Sequence, residues 1–163
     1  MRSSHEQEFA EFFDVASPRL LGAAWMLTGE QQSAEDLAQE ALARTYARWG
    51  TVRGGQPLAF ARRVMVNLHT DTWRKRRREV LSEEPPESAA TGDPQPVDLD
   101  VVAALRRLSP RERECVVLRH YLDLSEKQTA EALGISVGSV KSYTMHGLRG
   151  LRAQLLEGEE SHV

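Results

Sequence analysis

At 163 residues, 40% of them apolar and 28% charged, the chain is long enough for one medium domain or two small ones and apolar enough to bury a core. No apolar run approaches the length of a membrane span, the acidic amphipathic start MRSSHEQEFAEFF is unlike a signal peptide, and the lone Cys115 excludes a disulfide within the chain, which fits a reducing cytoplasm. A formal net charge of −3 offers no bulk attraction for nucleic acid, so such a function must rest on local patches.

The periodicity is helical throughout, without strand-like alternation, and predicts an all-α chain. Phe9, Phe12, Phe13 and Ala16 make a first apolar stripe. Ser17-Pro18 reads as a fresh helix start, because proline is tolerated at the first helical position, and Leu20, Leu21, Ala24, Trp25 and Leu27 carry that helix to a stop at Gly29. Ser33 is placed to open the next helix, with Glu35 and Asp36 in its first turn, where negative charge suits the dipole. Ala34, Leu37, Ala38, Ala41, Leu42, Thr45, Tyr46 and Trp49 follow at three-four spacing. Asp36, Gln39 and Glu40 share the opposite, polar face, which by residue type alone is a solvated surface.

A loop over residues 50–56 leads to Pro57 and a helix carrying Phe60, Ala61, Val64, Met65 and Leu68, which ends in Arg74-Lys75-Arg76-Arg77-Arg78. Two residues on it have two readings each. Asn67 suits a helix-terminus cap or an amide that reads a base edge, and Trp73 suits core packing or stacking on a base. Charge then changes in blocks. Residues 62–78 hold seven bases and one acid, residues 79–100 hold seven acids and no base, and residues 136–154 hold Lys141, Arg149 and Arg152 with no acid. That pattern suggests two nucleic-acid faces and a connector that stays off the DNA. Residues 82–98 contain four prolines and no bulky apolar residue except Val97, too little to offset ordering entropy. The expected organisation is a helical domain over 5–78, a flexible acidic linker over 79–98, a second helical domain over 99–156, and a frayed tail from Glu157.

The second domain opens with Val101, Val102, Leu105 and Leu108. Ser109-Pro110-Arg111-Glu112 forms a capping box with proline at the first helical position, and that helix runs through Cys115, Val116, Leu118 and Leu122. Within this apolar run Cys115 reads as a small buried thiol. Residues 124–151, LSEKQTAEALGISVGSVKSYTMHGLRGL, then read as a helix-turn-helix. Ser125 caps the first helix with Gln128 as its reciprocal partner, Ala130 and Leu133 face inward, Gly134 ends the helix in a left-handed conformation, and Ile135 plugs the turn. Ser136 caps the second helix, with Val140, Tyr143 or Thr144, Gly147, Leu148 and Leu151 on one face. The five histidines are scattered, and no nucleophile constellation, metal cluster or phosphate loop is visible. Neither a catalytic residue, a metal nor a cofactor is expected.

Two all-helical modules ending in a helix-turn-helix resemble a bacterial RNA polymerase sigma factor of the small extracytoplasmic-function (ECF) type, of the actinobacterial SigE-like kind. Three segments carry the resemblance. Residues 34–42, AEDLAQEAL, are similar to the region 2 helix that grips the clamp coiled coil of the largest polymerase subunit, which implies Asp36, Leu37, Gln39 and Glu40 as core contacts. Residues 59–67, AFARRVMVN, with the basic run after them, resemble the segment that melts and captures the −10 element. The resemblance implies Arg62, Arg63, Asn67, Trp73, Arg74, Lys75, Arg76 and Arg77 at that single strand. Residues 108–113, LSPRER, with the helix-turn-helix resemble region 4, which reads the −35 duplex; this implies Ser136, Ser139, Lys141, Ser142, Met145, His146 and Arg149 as its DNA face. Tyr143 and His146 stand where many relatives carry arginine, which lowers the fixed charge.

The implied activity is to direct core polymerase to promoters, in the cytoplasm and without chemistry of its own. The implied partners are core polymerase (the clamp and the flap of the second-largest subunit), promoter DNA and, as is common in the family, an anti-sigma factor clamped between the domains, with no membrane insertion. The competing readings are a regulator with a LuxR-like DNA-binding end and a helical sensing or dimerisation domain and, more distantly, an RNA-binding helical adaptor. A sensor would show a pocket or dimer seam in its first domain instead of a polar face and a basic helix end.

Overall fold

The fold is that of a computed structural model, which describes residues 3–78 and 98–160. Its regular elements are α1 (Ser4–Thr28), α2 (Gln31–Ala47), α3 (Trp49–Val52), α4 (Pro57–Arg78), α5 (Leu99–Arg106), α6 (Pro110–Val116), a π-helical turn (Val117–Tyr121), α7 (Glu126–Leu133) and α8 (Val137–Glu160). The all-α expectation holds among these residues. The linker expectation falls on residues 79–97, outside the described residues.

Several caps form as their residue types dictate. The Ser109 and Ser125 hydroxyls accept from Glu112 N and Gln128 N, and the Glu112 and Gln128 side chains accept from the cap N–H groups in return. Gly29 and Gly134 end α1 and α7 at φ 72° and 68°, the left-handed region that a side chain would strain.

Other elements depart from expectation. There is no fresh start at Ser17-Pro18, because α1 runs unbroken with Pro18 inside it. Pro18 and Asp14 are both exposed, so the carbonyl deprived of its donor lies on the watery side, and the φ of proline is itself helical. Ser33 does not cap α2. Glu30 is the N-cap, and the Ser33 hydroxyl donates to its Oε2 at 2.6 Å. The loop over 50–56 begins with the short α3. Phe13, Tyr46 and Leu148 were expected on inward faces but are 42%, 52% and 38% exposed, each lying at the margin of its apolar stripe. The helix through Cys115 does not reach Leu122 as a regular α-helix; a wide turn bonds Leu122 N to Val117 O and turns Val117, Leu118 and Leu122 all inward. The tail is helical to Glu160, not frayed from Glu157.

In the first half α1, α2 and α4 pack on one another, burying Leu20, Leu27, Ala38, Leu42, Met65 and Val66. The small Ala34, Ala38 and Ala41 let α2 approach closely, and each large side chain so buried contributes about 1.5–3 kcal/mol. In the second half α5, α6 and α7 pack around α8 over Leu105, Leu118, Leu133 and Val140. The halves touch: α1 meets α5, α6 and the π turn, and α4 meets α7.

Candidate nucleic-acid interface

On α2 the buried alanines hold the opposite face outward. Asp36, Gln39 and Glu40 are exposed there, with Leu37 half-buried on their rim. Asp36 accepts from Gln32 Nε2 at 2.9 Å, and Glu40 pairs with Arg44 at 3.0 Å, both one turn apart along the helix. This is a polar platform of preset side chains, still open to a partner.

Along α4, burial of Ala61, Met65, Val66 and Thr70 turns Arg63, Asn67, Asp71 and Lys75 out on a single exposed stripe at four-residue spacing. Asn67 lies in the middle of the helix with its side chain in solvent, which removes the reading as a terminus cap. Arg62 lies elsewhere, half-buried, and its Nε is shielded with no hydrogen-bond partner. For Trp73, Arg74, Arg76 and Arg77 the helical backbone belongs to α4, and the side chains lie outside the described residues.

At the helix-turn-helix, Ser136 Oγ accepts from Ser139 N at 3.0 Å and lies 2.9 Å from Ser139 Oγ, so both hydroxyls are engaged in starting α8. Val140 and Gly147 are buried, and Lys141, Ser142, Met145, His146 and Arg149 point into solvent together. Beside them is a feature the sequence did not suggest. Arg119 and Glu126 join Lys141, Met145, Leu148 and Arg149 around an open cleft of about 400 Å³. Arg119 is anchored by donating to the Leu124 carbonyl, and Lys141 Nζ stands 3.9 Å from Glu126 Oε2. Arg119 escaped notice because it lies before the motif in the chain, and the π turn is what carries it alongside.

Beneath α8, Glu114 is 2% exposed and accepts from Arg111 Nη1 at 3.3 Å. Burial pushes its carboxyl above the ordinary range despite Arg111 and Arg113, and burial likewise lowers the Arg113 guanidinium. Burial pushes the Cys115 thiol up to about 11, as suits an inert core residue. Among the described residues no group of three or more His, Cys, Asp or Glu could hold a metal, and no helix is long and apolar enough to cross a membrane.

Comparison with known proteins matches the chain to a family. Residues 12–79 match the model for Sigma-70 region 2, and residues 98–151 match that for Sigma-70, region 4. The chain is 40% identical over 153 residues to the RNA polymerase sigma-E factor of Streptomyces coelicolor, covering 91% of this chain and 86% of that protein. It is 32% identical over 148 residues to the ECF RNA polymerase sigma factor SigE of Mycolicibacterium smegmatis, covering 84% and 57%. Among solved structures, the sigma factor RpoE of Bartonella quintana, in complex with the anti-sigma factor NepR, superposes with a TM-score of 0.69 at 25% identity over 91% of this chain and 97% of that one. The exposed α2 platform, the α4 stripe and the helix-turn-helix thus occur in a chain that belongs to the RNA polymerase sigma factors of the sigma-70 family, in their ECF group.

Proposed function

We propose that the chain recruits core polymerase through residues 5–78 and reads the −35 duplex through residues 99–156, while α4 captures the unpaired −10 strand. Asp36, Leu37, Gln39 and Glu40 form the core contact; Arg63, Asn67 and Lys75, with Arg62, Trp73, Arg74, Arg76 and Arg77, hold the −10 strand. Lys141, Ser142, Met145, His146 and Arg149 face the −35 groove, with Ser136 and Ser139 setting the helix start. The observation that carries this reading is that Asn67 is an exposed mid-helix amide on the same stripe as Arg63 and Lys75. An exposed amide with Arg63 one turn before it and Lys75 two turns after it, beyond Asp71, suits capture of an unpaired base, because unstacking costs a few kcal/mol that pocket and phosphate contacts must offset.

The chain acts in the cytoplasm, by binding alone, and a separate anti-sigma protein is its regulator, as supported by the relative solved with such a partner. Promoter-specific run-off transcription with core polymerase tests the proposal. Transcripts from a promoter pool that need both proteins are the expected result. Footprinting of duplex DNA by the chain unaided, with no transcript from any promoter, would instead make it a conventional regulator.

A further inference from the structure

We propose that Met145 and Leu148 form an apolar step on α8 that reads the 5-methyl group of a thymine in the −35 duplex, which makes Leu148 a specificity residue. This assignment rests on the promoter reading above and adds one base feature that the polar side chains of α8 leave unread.

Spacing alone groups Leu148 with Val140 and Leu151 on the inner side of α8. In the fold Gly147 takes the close approach to α6, and Leu148 beside it is left 38% exposed. Met145, about one turn earlier, is 46% exposed. Lys141, Met145, Leu148 and Arg152 follow one another at intervals of four, three and four, and all are exposed, so they make one continuous face. Two large apolar side chains thus stand side by side with a cation about one turn away at each end. They also border the open cleft of about 400 Å³ that Arg119 and Arg149 share, where Arg119 is held to the Leu124 carbonyl. An apolar partner alone would not call for these cations, and a polyanion alone would not call for the apolar pair. Duplex DNA answers both. Its phosphates suit the cations, and its major groove presents one apolar group, the thymine 5-methyl.

Lys141, Ser142 and His146 can exchange hydrogen bonds with base edges, while the Ser136 and Ser139 hydroxyls are engaged with each other. A hydrogen bond cannot tell thymine from uracil, because the two differ only in a methyl that neither donates nor accepts. Met145 and Leu148 are suited to that methyl. The unbranched thioether of Met145 adapts to where the methyl lies, and Leu148 closes the other side, so the methyl loses water on both flanks. Met145 lies about 12 Å and Leu148 about 16 Å from the start of α8, within the turns that a docked helix lays along the groove. Burial of one methyl group corresponds to a preference of about fourfold. It adds to the hydrogen-bonded readout and does not replace it.

The test uses holoenzyme assembled from core polymerase and the full chain. Promoters are selected from a pool randomised at both elements, and the recovered duplex is remade with deoxyuridine in place of each −35 thymidine in turn. That exchange removes the methyl and keeps every hydrogen bond. The wild type is expected to select a thymine on one strand of the −35 element and to bind its uracil counterpart about fourfold more weakly. Leu148→Ala and Met145→Ala should each bind the two duplexes equally and keep the core affinity of the wild type. Circular dichroism checks the fold, and Leu148→Gln, which keeps the length of the side chain, replaces the alanine variant if α8 loosens. A selected −35 element with no thymine on either strand, or wild-type binding indifferent to the methyl, overturns the assignment. So does methyl sensitivity that survives either substitution; survival of both would trace it to duplex shape. A holoenzyme that recovers no sequence ends the promoter reading and this assignment with it, whereas a recovered −35 element indifferent to its methyls ends the assignment alone.

Discussion

Gly147 of α8 rests so closely on Val116 of α6 that a Cβ there would stand 2.6 Å from Val116 Cγ2 and 3.1 Å from the Glu112 carbonyl oxygen. Val116 is buried and the carbonyl is backbone, so neither yields cheaply. Alanine is the better helix former by about 1 kcal/mol, and on an open helix face the substitution would stabilise. Here overpacking outweighs propensity. Gly147→Ala is expected to cost about 1–3 kcal/mol. Thermal unfolding followed by circular dichroism measures it, and a Tm above the wild type would refute the close approach.

Much of this close packing was legible because it is carried by residue type. Ser109, Ser125, Gly134 and Ile135 announced the caps and the turn, and Val140 and Gly147 the inner face of α8. What escaped was set by contacts distant in the chain or by backbone that bends a rule. Pro18 marks a helix start by local chemistry, and only its exposed position lets α1 run through it. The π turn has no composition of its own, yet it decides where Arg119 lies. The α2 platform was visible as a polar face, but a polar face and a docking face look alike in residue type; the proposal that this one docks comes from the resemblance to a family, not from periodicity.

Glu114 offers a pH signature. Burial raises its folded carboxyl above the ordinary value, so the folded state binds a proton more tightly than the unfolded chain. The favourable contribution is then fully present below the unfolded pKa and lost as pH rises through the folded value. Glu114→Gln keeps the shape without the buried charge. Its Tm relative to wild type is expected to rise steadily as pH climbs from about 4.5 toward neutrality. A gap that does not change with pH would show that Arg111 fully compensates the burial.

Cys115 should be chemically silent while the fold stands. With its thiol near 11 and its side chain fully buried, only about one thiol in a thousand is ionised at pH 8. Alkylation by iodoacetamide should therefore track global unfolding in denaturant. Stoichiometric labelling of the native protein within minutes would mean that α6 opens locally.

The α2 platform is tested by charge reversal. Asp36→Arg with Glu40→Arg alters two exposed side chains whose present partners, Gln32 and Arg44, are surface contacts worth at most about 1 kcal/mol. The fold should therefore persist, with an unchanged helical spectrum. Pull-down of core polymerase should be lost, because reversing both charges of the proposed contact replaces attraction by repulsion across it, and like-charge juxtaposition costs several kcal/mol. Retained binding would move the core contact away from α2.

On α8, the proposed reader of the −35 duplex, few fixed charges are available. Lys141 is the cation nearest the start of the helix, and Glu126 stands 3.9 Å from its ammonium, so a phosphate or base must compete with a carboxylate already in place. Glu126→Gln removes that competitor and leaves the Ser125 cap, which uses Gln128, intact. In holoenzyme, Lys141→Ala combined with His146→Ala should lose −35 discrimination while core affinity stays unchanged, and the log–log salt slope should fall by about 0.9 for the lysine alone. Glu126→Gln should tighten binding to matched and mismatched −35 sequences alike, because it frees a charge without adding a base contact. Tightening confined to the matched sequence would instead mean that Glu126 itself takes part in reading the bases.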